Sequence, residues 1–159
     1  MLRPAMLSDA PMIARVNVQA WAETYTGILP PDEIARRTYD FRLAQWTAQI
    51  GAGTTRIFTI PDEGFVQFGP QRDADWAARG YTEELYALYL LRAAHGQGQG
   101  RALFDAGRGQ AGFTALVLDA NTRACRFYES TGGSVLLCFD STLGETVVRD
   151  RIYGWPAQV

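Results

Sequence analysis

No lysine occurs in these 159 residues, and all fifteen basic side chains are arginines. That absence excludes several chemistries at once. A Walker A phosphate loop needs its lysine, and a pyridoxal phosphate Schiff base needs one too. Histidine is almost missing: His95 stands alone, which leaves no His-rich metal cluster and few routes to a Ser-His-Asp triad. The only cysteines, Cys125 and Cys138, form neither a disulfide framework nor a CxxC pair, as expected in a reducing cytoplasm. No apolar run approaches the ~20 residues of a membrane span. Met1-Leu2-Arg3-Pro4 runs into polar residues rather than a signal-peptide core, so no membrane partner is expected. Positive charge is not in excess either. Fifteen basic residues against seventeen acidic ones give a net charge of −2, which argues against a nucleic-acid partner.

What is present is the composition of an ordinary globular protein: 47% apolar, 20% charged and 12% aromatic residues. A chain of this length buries roughly 70% of its extended surface on folding, enough for a core without staples. No repeat, low-complexity tract or linker divides it, so residues 1–159 are read as one domain. Ser8 or Asp9 caps a first helix that tolerates Pro11 in its first turn and carries Ile13, Val16, Ala20 and Trp21 on one face to about Tyr25. The string Thr26 to Pro31 breaks it. A second helix is expected from Asp32 to Gln49, with Leu43, Trp46 and Ile50 inward and Gly51 and Gly53 closing it. Thr55–Ile60 and Phe65–Gly69 then form a hairpin around Pro61-Asp62-Glu63-Gly64. Residues 70–80 look like a polar loop. Glu84–Leu91 is nearly continuous apolar, as in a central buried strand. After it come a helix from Arg101 to about Arg108, a strand at Thr114–Leu118 and a helix at Thr122–Ser130. A closing antiparallel pair, Ser134–Phe139 with Val147–Tyr153, completes the order. The expected fold is α/β of the α+β kind: a mixed, mostly antiparallel sheet of six or seven strands flanked by about four helices.

The strongest chemical signal is the glycine string His95-Gly96-Gln97-Gly98-Gln99-Gly100, set between a strand and a helix. Alternating glycines let the backbone turn tightly and aim several N–H groups at one point. The following helix adds its dipole and its own unpaired N–H groups. Together these make an anion site of the kind that holds a pyrophosphate, although a plain strand-to-helix turn uses the same residues. The GxGxG spacing departs from the dinucleotide fingerprint, and its strand arrives mid-chain, so NAD is disfavoured. The missing lysine disfavours ATP and GTP. Downstream, Asn121 is placed to cap the helix at Thr122. Tyr128 is a candidate proton donor, while core packing is the plainer role for Phe127.

These segments together resemble the GNAT superfamily of N-acetyltransferases. The string His95 to Gly100, continued by Arg101-Ala102-Leu103, is similar to the family's Q/R-x-x-G-x-G/A motif. Asn121, Ala124, Phe127, Tyr128 and Gly132 match N-x-x-A-x-x-F-Y-x-x-x-G, and Glu84 to Leu90 resembles the family's fourth strand. Trp21, Tyr25 and Gly27-Ile28-Leu29-Pro30 form the W-x-x-x-Y-x-G-I-L-P string of a bacterial subgroup, and Tyr153-Gly154-Trp155-Pro156 matches its ending. His95 stands where Gln or Arg is usual, and Gly133 where an aromatic follows the glycine.

The resemblance implies a GNAT-like acyl-CoA N-acyltransferase fold and acetyl-CoA as co-substrate, with no metal. The acceptor would be a primary amine of a small molecule or peptide, attacking directly in a ternary complex. Cofactor contacts would come from the backbone of Leu88, Tyr89 and Leu90, from His95, Gly96, Gln97, Gly98, Gln99, Gly100 and Arg101, and from Asn121, Ala124 and Phe127. In the family the fourth strand carries a bulge and splays from the fifth, opening a V-shaped slot, and an N–H near Leu88 would face the thioester oxygen. Glu84 would be the base, directly or through water, and Tyr128 the acid for the departing thiolate. Glu83 points to the opposite face of the strand from Glu84. Trp21, Tyr25 and Ile28 would line the acceptor pocket, with core packing the plainer role for Trp21. Exposed β edges near the C-terminal end leave room for a homodimer. Two other readings stay open: an acyl-CoA-binding or sensing domain of the same fold without catalysis, and an interaction module that binds no CoA.

Overall fold

The computed structural model describes residues 1–159. Its helices begin where the chain offers caps and breaks. Pro11 sits in the first turn of α1 (Ala10–Tyr25), where an N–H has no intrahelical partner to lose. Ile13, Val16 and Ala20 bury the inner face of α1. The single helix expected over residues 32–49 is two helices, α2 (Pro31–Ala35) and α3 (Tyr39–Ala52). Thr38 causes the break: its backbone is extended, and its Oγ1 accepts from the N–H of Phe41 at 3.1 Å, which caps a new helix. Gly53 closes α3 in the left-handed conformation, as expected. The stretch read as a loop over 70–80 contains α4 (Ala74–Ala78), capped by the Asp73 carboxylate and anchored by buried Trp76. With α5 (Gln99–Gly107) and α6 (Thr122–Ser130) there are six helices rather than about four.

The strands are β1 (Arg3–Pro4), β2 (Arg56–Ile60), β3 (Gly64–Pro70), β4 (Glu83–Leu90), β5 (Phe113–Leu118), β6 (Ser134–Leu143) and β7 (Thr146–Trp155). They form one seven-stranded sheet in the order β1-β2-β3-β4-β5-β7-β6. Every pairing is antiparallel except β4 with β5. The β6–β7 hairpin is longer than the sequence suggests, its register running out to Leu143 opposite Thr146. Each face of the sheet has its own core. Phe68, Leu103, Phe104, Phe113 and Trp155 pack beneath α5 and α6, with the rings of Phe113 and Trp155 stacked at 4.6 Å. On the other face Ile13, Val16, Trp46 and Phe65 pack under α1 and α3. Gly133, where an aromatic was expected, leaves room for Trp155: a Cβ there would lie 2.6 Å from the indole. No helix is long and apolar enough to cross a membrane.

Two irregularities of β4 create the functional geometry. Gln67 pairs with Ala87 but the next residue, Phe68, pairs with Leu85, so Tyr86 is an inserted residue, a β-bulge. Alternation resumes beyond it with the faces exchanged: Leu85, Leu88 and Leu90 pack on the α5 side, and Ala87 and Tyr89 on the α1–α3 side. The second irregularity is divergence. β4 and β5 pair only at Glu83–Leu85 against Phe113–Ala115, while β5 continues along β7 to Leu118. The edge of β4 from Leu88 to Leu90 therefore has no strand beside it on the β5 side.

Candidate active site

A cleft of about 650 Å³ opens where β4 and β5 part. One wall is Leu88, Tyr89 and Leu90, the other Asn121, Ala124, Phe127 and Tyr128, and the glycine string closes one end. Gly96 and Gly98 hold φ of +79° and +78°, with nothing within 4 Å of a Cβ built on either. Backbone conformation, not crowding, therefore requires glycine there. The first N–H of this segment to reach a backbone carbonyl is that of Ala102, which donates to Gly98 O at 3.0 Å. The amides from Gly96 to Arg101 lack backbone acceptors and sit at the positive end of α5. Gln99 Oε1 is buried in the same cleft without a donor.

His95 binds its own chain. Its Nε2 lies 2.9 Å from Leu90 O, and since a carbonyl only accepts, Nε2 carries the proton. The contact ties the loop back onto β4. Asn121 caps α6 as expected, its Oδ1 accepting from Ala124 N at 3.2 Å, and its amide group lies near the Tyr25 hydroxyl. Tyr128 is buried edge-on against Trp155. Its hydroxyl makes no hydrogen bond within the protein, and burial pushes its pKa well above the ordinary tyrosine value.

Behind β4, a second cavity of about 440 Å³ lies between the α1–α3 layer and strands β3 and β4, with Tyr89 bordering both spaces. Trp21, Arg42, Gln67, Tyr86 and Ala87 are among its walls. Glu84 faces this side rather than the first cleft. Its carboxylate takes Nη2 of Arg72 at 2.6 Å and Nε at 3.1 Å, and the same guanidinium lies 3.9 Å over the Tyr86 ring. Glu84 is thus held in an ion pair rather than standing alone in a slot. Glu83, on the opposite face as expected, pairs with Arg56 at 2.6 Å.

Of the predicted contacts, Leu88, Tyr89, Leu90, His95, Gly96, Gly98, Gln99, Gly100, Arg101, Asn121, Ala124, Phe127, Tyr128 and Ile28 line the first cleft. Phe127 does so while packing on Phe104 at 5.8 Å. Gln97 is exposed and outside the lining. Trp21 borders the second cavity, and Tyr25 is buried between Trp21 and Tyr89. Sequence reasoning missed Arg92, whose Nη2 donates to Glu23 O at 2.8 Å and ties the end of β4 to α1. It also missed Asn17 and Arg42. Their signal was present: both are polar residues four positions from an inward apolar one, Ile13 and Trp46 respectively.

Residues 18–133 match the acetyltransferase (GNAT) family. The chain is 31% identical to the uncharacterized N-acetyltransferase YuaI of Bacillus subtilis (strain 168), over 98% of this chain and 92% of YuaI. Among solved structures, its fold is similar to that of yncA from Salmonella typhimurium, solved with its cofactor acetyl-CoA. That match has a TM-score of 0.68 at 19% identity over 98% of this chain and 92% of yncA. The PaiA N-acetyltransferase from Thermoplasma acidophilum, in complex with coenzyme A, matches with a TM-score of 0.64 at 17% identity over 94% of this chain and 96% of PaiA.

Proposed function

The chain belongs to the acetyltransferase (GNAT) family, and from that premise we propose that it moves the acetyl group of acetyl-CoA onto a primary amine of a small molecule or peptide by direct attack. The observation that carries this reading is the convergence, in one cleft, of unpartnered amides from Gly96 to Arg101 with the open edge of β4 at Leu88–Leu90. A pyrophosphate suits the first, and an extended amide-bearing arm suits the second as an added strand would. Acetyl-CoA has both parts and supplies an activated thioester. Orphaned Gln99 Oε1 offers an acceptor to its N–H or hydroxyl groups.

Leu88 presents backbone to the place where the thioester oxygen would lie, and its N–H would stabilise the charge that develops there. Tyr128, whose pKa burial raises, gives its proton to the departing sulfur and recovers one from the nitrogen of the tetrahedral intermediate. Glu84 accepts the proton of the incoming ammonium, directly or through water, from the face of β4 that looks toward the second cavity. Arg72 orients its carboxylate. Attack is direct because neither cysteine has a base to activate it: the one histidine is bonded to Leu90 O.

The test is release of CoA thiol from acetyl-CoA over a panel of amines, for the wild type and Glu84→Gln. Glu84→Gln is expected to lower kcat by roughly 10²–10⁴-fold with acetyl-CoA affinity unchanged. A kcat within threefold of wild type would confine Glu84 to holding Arg72. Acetyl-CoA binding without turnover of any amine would favour a sensing domain of the same fold.

A further inference from the structure

The cavity behind β4 is unbalanced in its hydrogen-bonding groups. Three of the residues around it each hold a buried side-chain nitrogen with no partner in the protein: Asn17 Nδ2, Trp21 Nε1 and Arg42 Nε. All are donors, and an indole N–H or a guanidinium cannot act otherwise. The Asn17 amide is not free to flip and hide its NH2. Its Oδ1 already accepts from Trp46 Nε1 at 3.0 Å, and since the indole only donates, the NH2 must face away from it.

Arg42 adds charge to this set. It is only 7% exposed, its Nη1 donates to the neutral Gln45 at 2.9 Å, and no carboxylate pairs with it. Its guanidinium lies 5.0 Å from the centre of the Trp21 ring. Nearby arginines are compensated: Arg56 by Glu83, Arg72 by Glu84 and Arg37 by Glu33. A buried charge without a counter-ion, beside two more buried donors without acceptors, is costly for folding and brings nothing in return. The same set is what an acceptor-only monoanion needs. A carboxylate has two oxygens with about four lone-pair sites and a single charge, which one guanidinium neutralises. A phosphate would ask for a second cation, and Arg72 is already taken by Glu84.

We propose that this cavity binds the carboxylate of the acceptor through Arg42, Asn17 and Trp21, so that the acetylated amine belongs to an α-amino acid or a similar small amino-carboxylate. The assignment rests on the acetyl-transfer reading above. The cavity's size, about 440 Å³, falls within the roughly 300–1,000 Å³ of small-molecule pockets. Tyr89 lines both this cavity and the cofactor cleft, and Arg72 joins the cavity to Glu84. An amino group on the carbon next to the carboxylate is thus held on the base's side of β4.

The experiment compares CoA release with the twenty proteinogenic L-amino acids, their α-carboxamides and spermidine, for wild type, Arg42→Gln and Trp21→Phe. At least one amino acid is expected to exceed its own carboxamide about a hundredfold in kcat/KM. Arg42→Gln should raise KM for that amino acid about thirtyfold or more and raise that of its carboxamide far less. Trp21→Phe, which keeps an aromatic ring but loses the N–H with the rest of the indole, should raise the same KM several-fold and by more than it raises that of the carboxamide. The rise in Tm on adding acetyl-CoA reports that each variant is folded. Equal or better turnover of carboxamides or of spermidine overturns the proposal, as does an Arg42→Gln effect that ignores the carboxylate. Should no amine turn over, the probes become the N-acetyl derivatives of the same amino acids added with CoA. A Tm rise with any of them that Arg42→Gln abolishes sustains the pocket. No rise, with the acetyl-CoA response intact, removes the carboxylate assignment and leaves acetyl-CoA binding standing. Loss of the acetyl-CoA response in the wild type removes both.

Discussion

Replacing Gly98 by alanine separates the strain of a left-handed residue from its use as an anion cradle. Gly98 sits at φ +78°, ψ 3° with nothing within 4 Å of its missing Cβ. The substitution therefore meets no clash and costs only left-handed strain, about 1–2 kcal/mol. In a domain of this size that is roughly 2–8 °C of Tm. Gly53, closing α3 at φ +65°, ψ 18° with equally open space, supplies the matched control far from the cleft. Both variants should lose similar Tm without ligand. Acetyl-CoA at a hundredfold excess over Kd should add about 2.7 kcal/mol to the wild type, a rise of roughly 5–10 °C. Gly53→Ala should keep the whole of that rise. Gly98→Ala should lose most of it, because its methyl stands where a phosphate oxygen must come within about 3 Å of the backbone amides. Thermal melts of the three proteins with and without acetyl-CoA decide it. A full ligand-induced rise in Gly98→Ala would refute the cradle and leave the glycine string as a turn.

Tyr128→Phe should lower kcat roughly 10²–10⁴-fold while moving stability by no more than about 1 kcal/mol, since the hydroxyl has no partner in the protein to lose. Because burial raises its pKa, wild-type kcat should show no loss from tyrosine ionisation up to about pH 10; kcat against pH for both proteins checks this, and a Tyr128→Phe rate within threefold of wild type would remove the acid. Asp9 accepts from Arg3 Nη1 at 2.7 Å and Nη2 at 2.9 Å and from Met6 N at 2.7 Å, and these bonds hold its pKa below the ordinary carboxylate range. The folded state then binds fewer protons than the unfolded one near pH 4, so the contribution is whole above about pH 5 and is lost as pH falls through the folded pKa. Asp9→Asn should lower Tm at pH 7, and the gap to wild type should narrow as pH falls below about 4; a gap that stays constant on acidification would show that the pair's charge is not what stabilises the fold.

The parts of the site that were legible are those whose physics is local. The glycine string announces a left-handed turn into a helix, and Asn121 announces a cap, whatever surrounds them. The splaying of β4 from β5 had no signal in the residues of either strand and was expected only from a family resemblance. The helix break at Thr38 was readable as a cap but was overridden by the apolar spacing of Leu43, Trp46 and Ile50, and the cap at Asp73 was lost in a stretch polar enough to read as a loop. The bulge too was expected only from the resemblance, and its place in the strand could not be read. Glu84 to Leu90 is an unbroken apolar run after its first residue, and nothing in it marks Tyr86 as unpaired. Yet that one insertion decides what the strand can do. In a regular strand Glu84 and Tyr89, five apart, would face opposite sides of the sheet. With Tyr86 inserted they face the same side, where Arg72 reaches both Glu84 and Tyr86 and where Trp21 and Arg42 line a cavity. Leu88 and Leu90 are released to the other face, beside the cleft. The placement of Glu84 on the side of the second cavity, with Leu88 and Leu90 beside the cleft, therefore depends on a register slip of one residue.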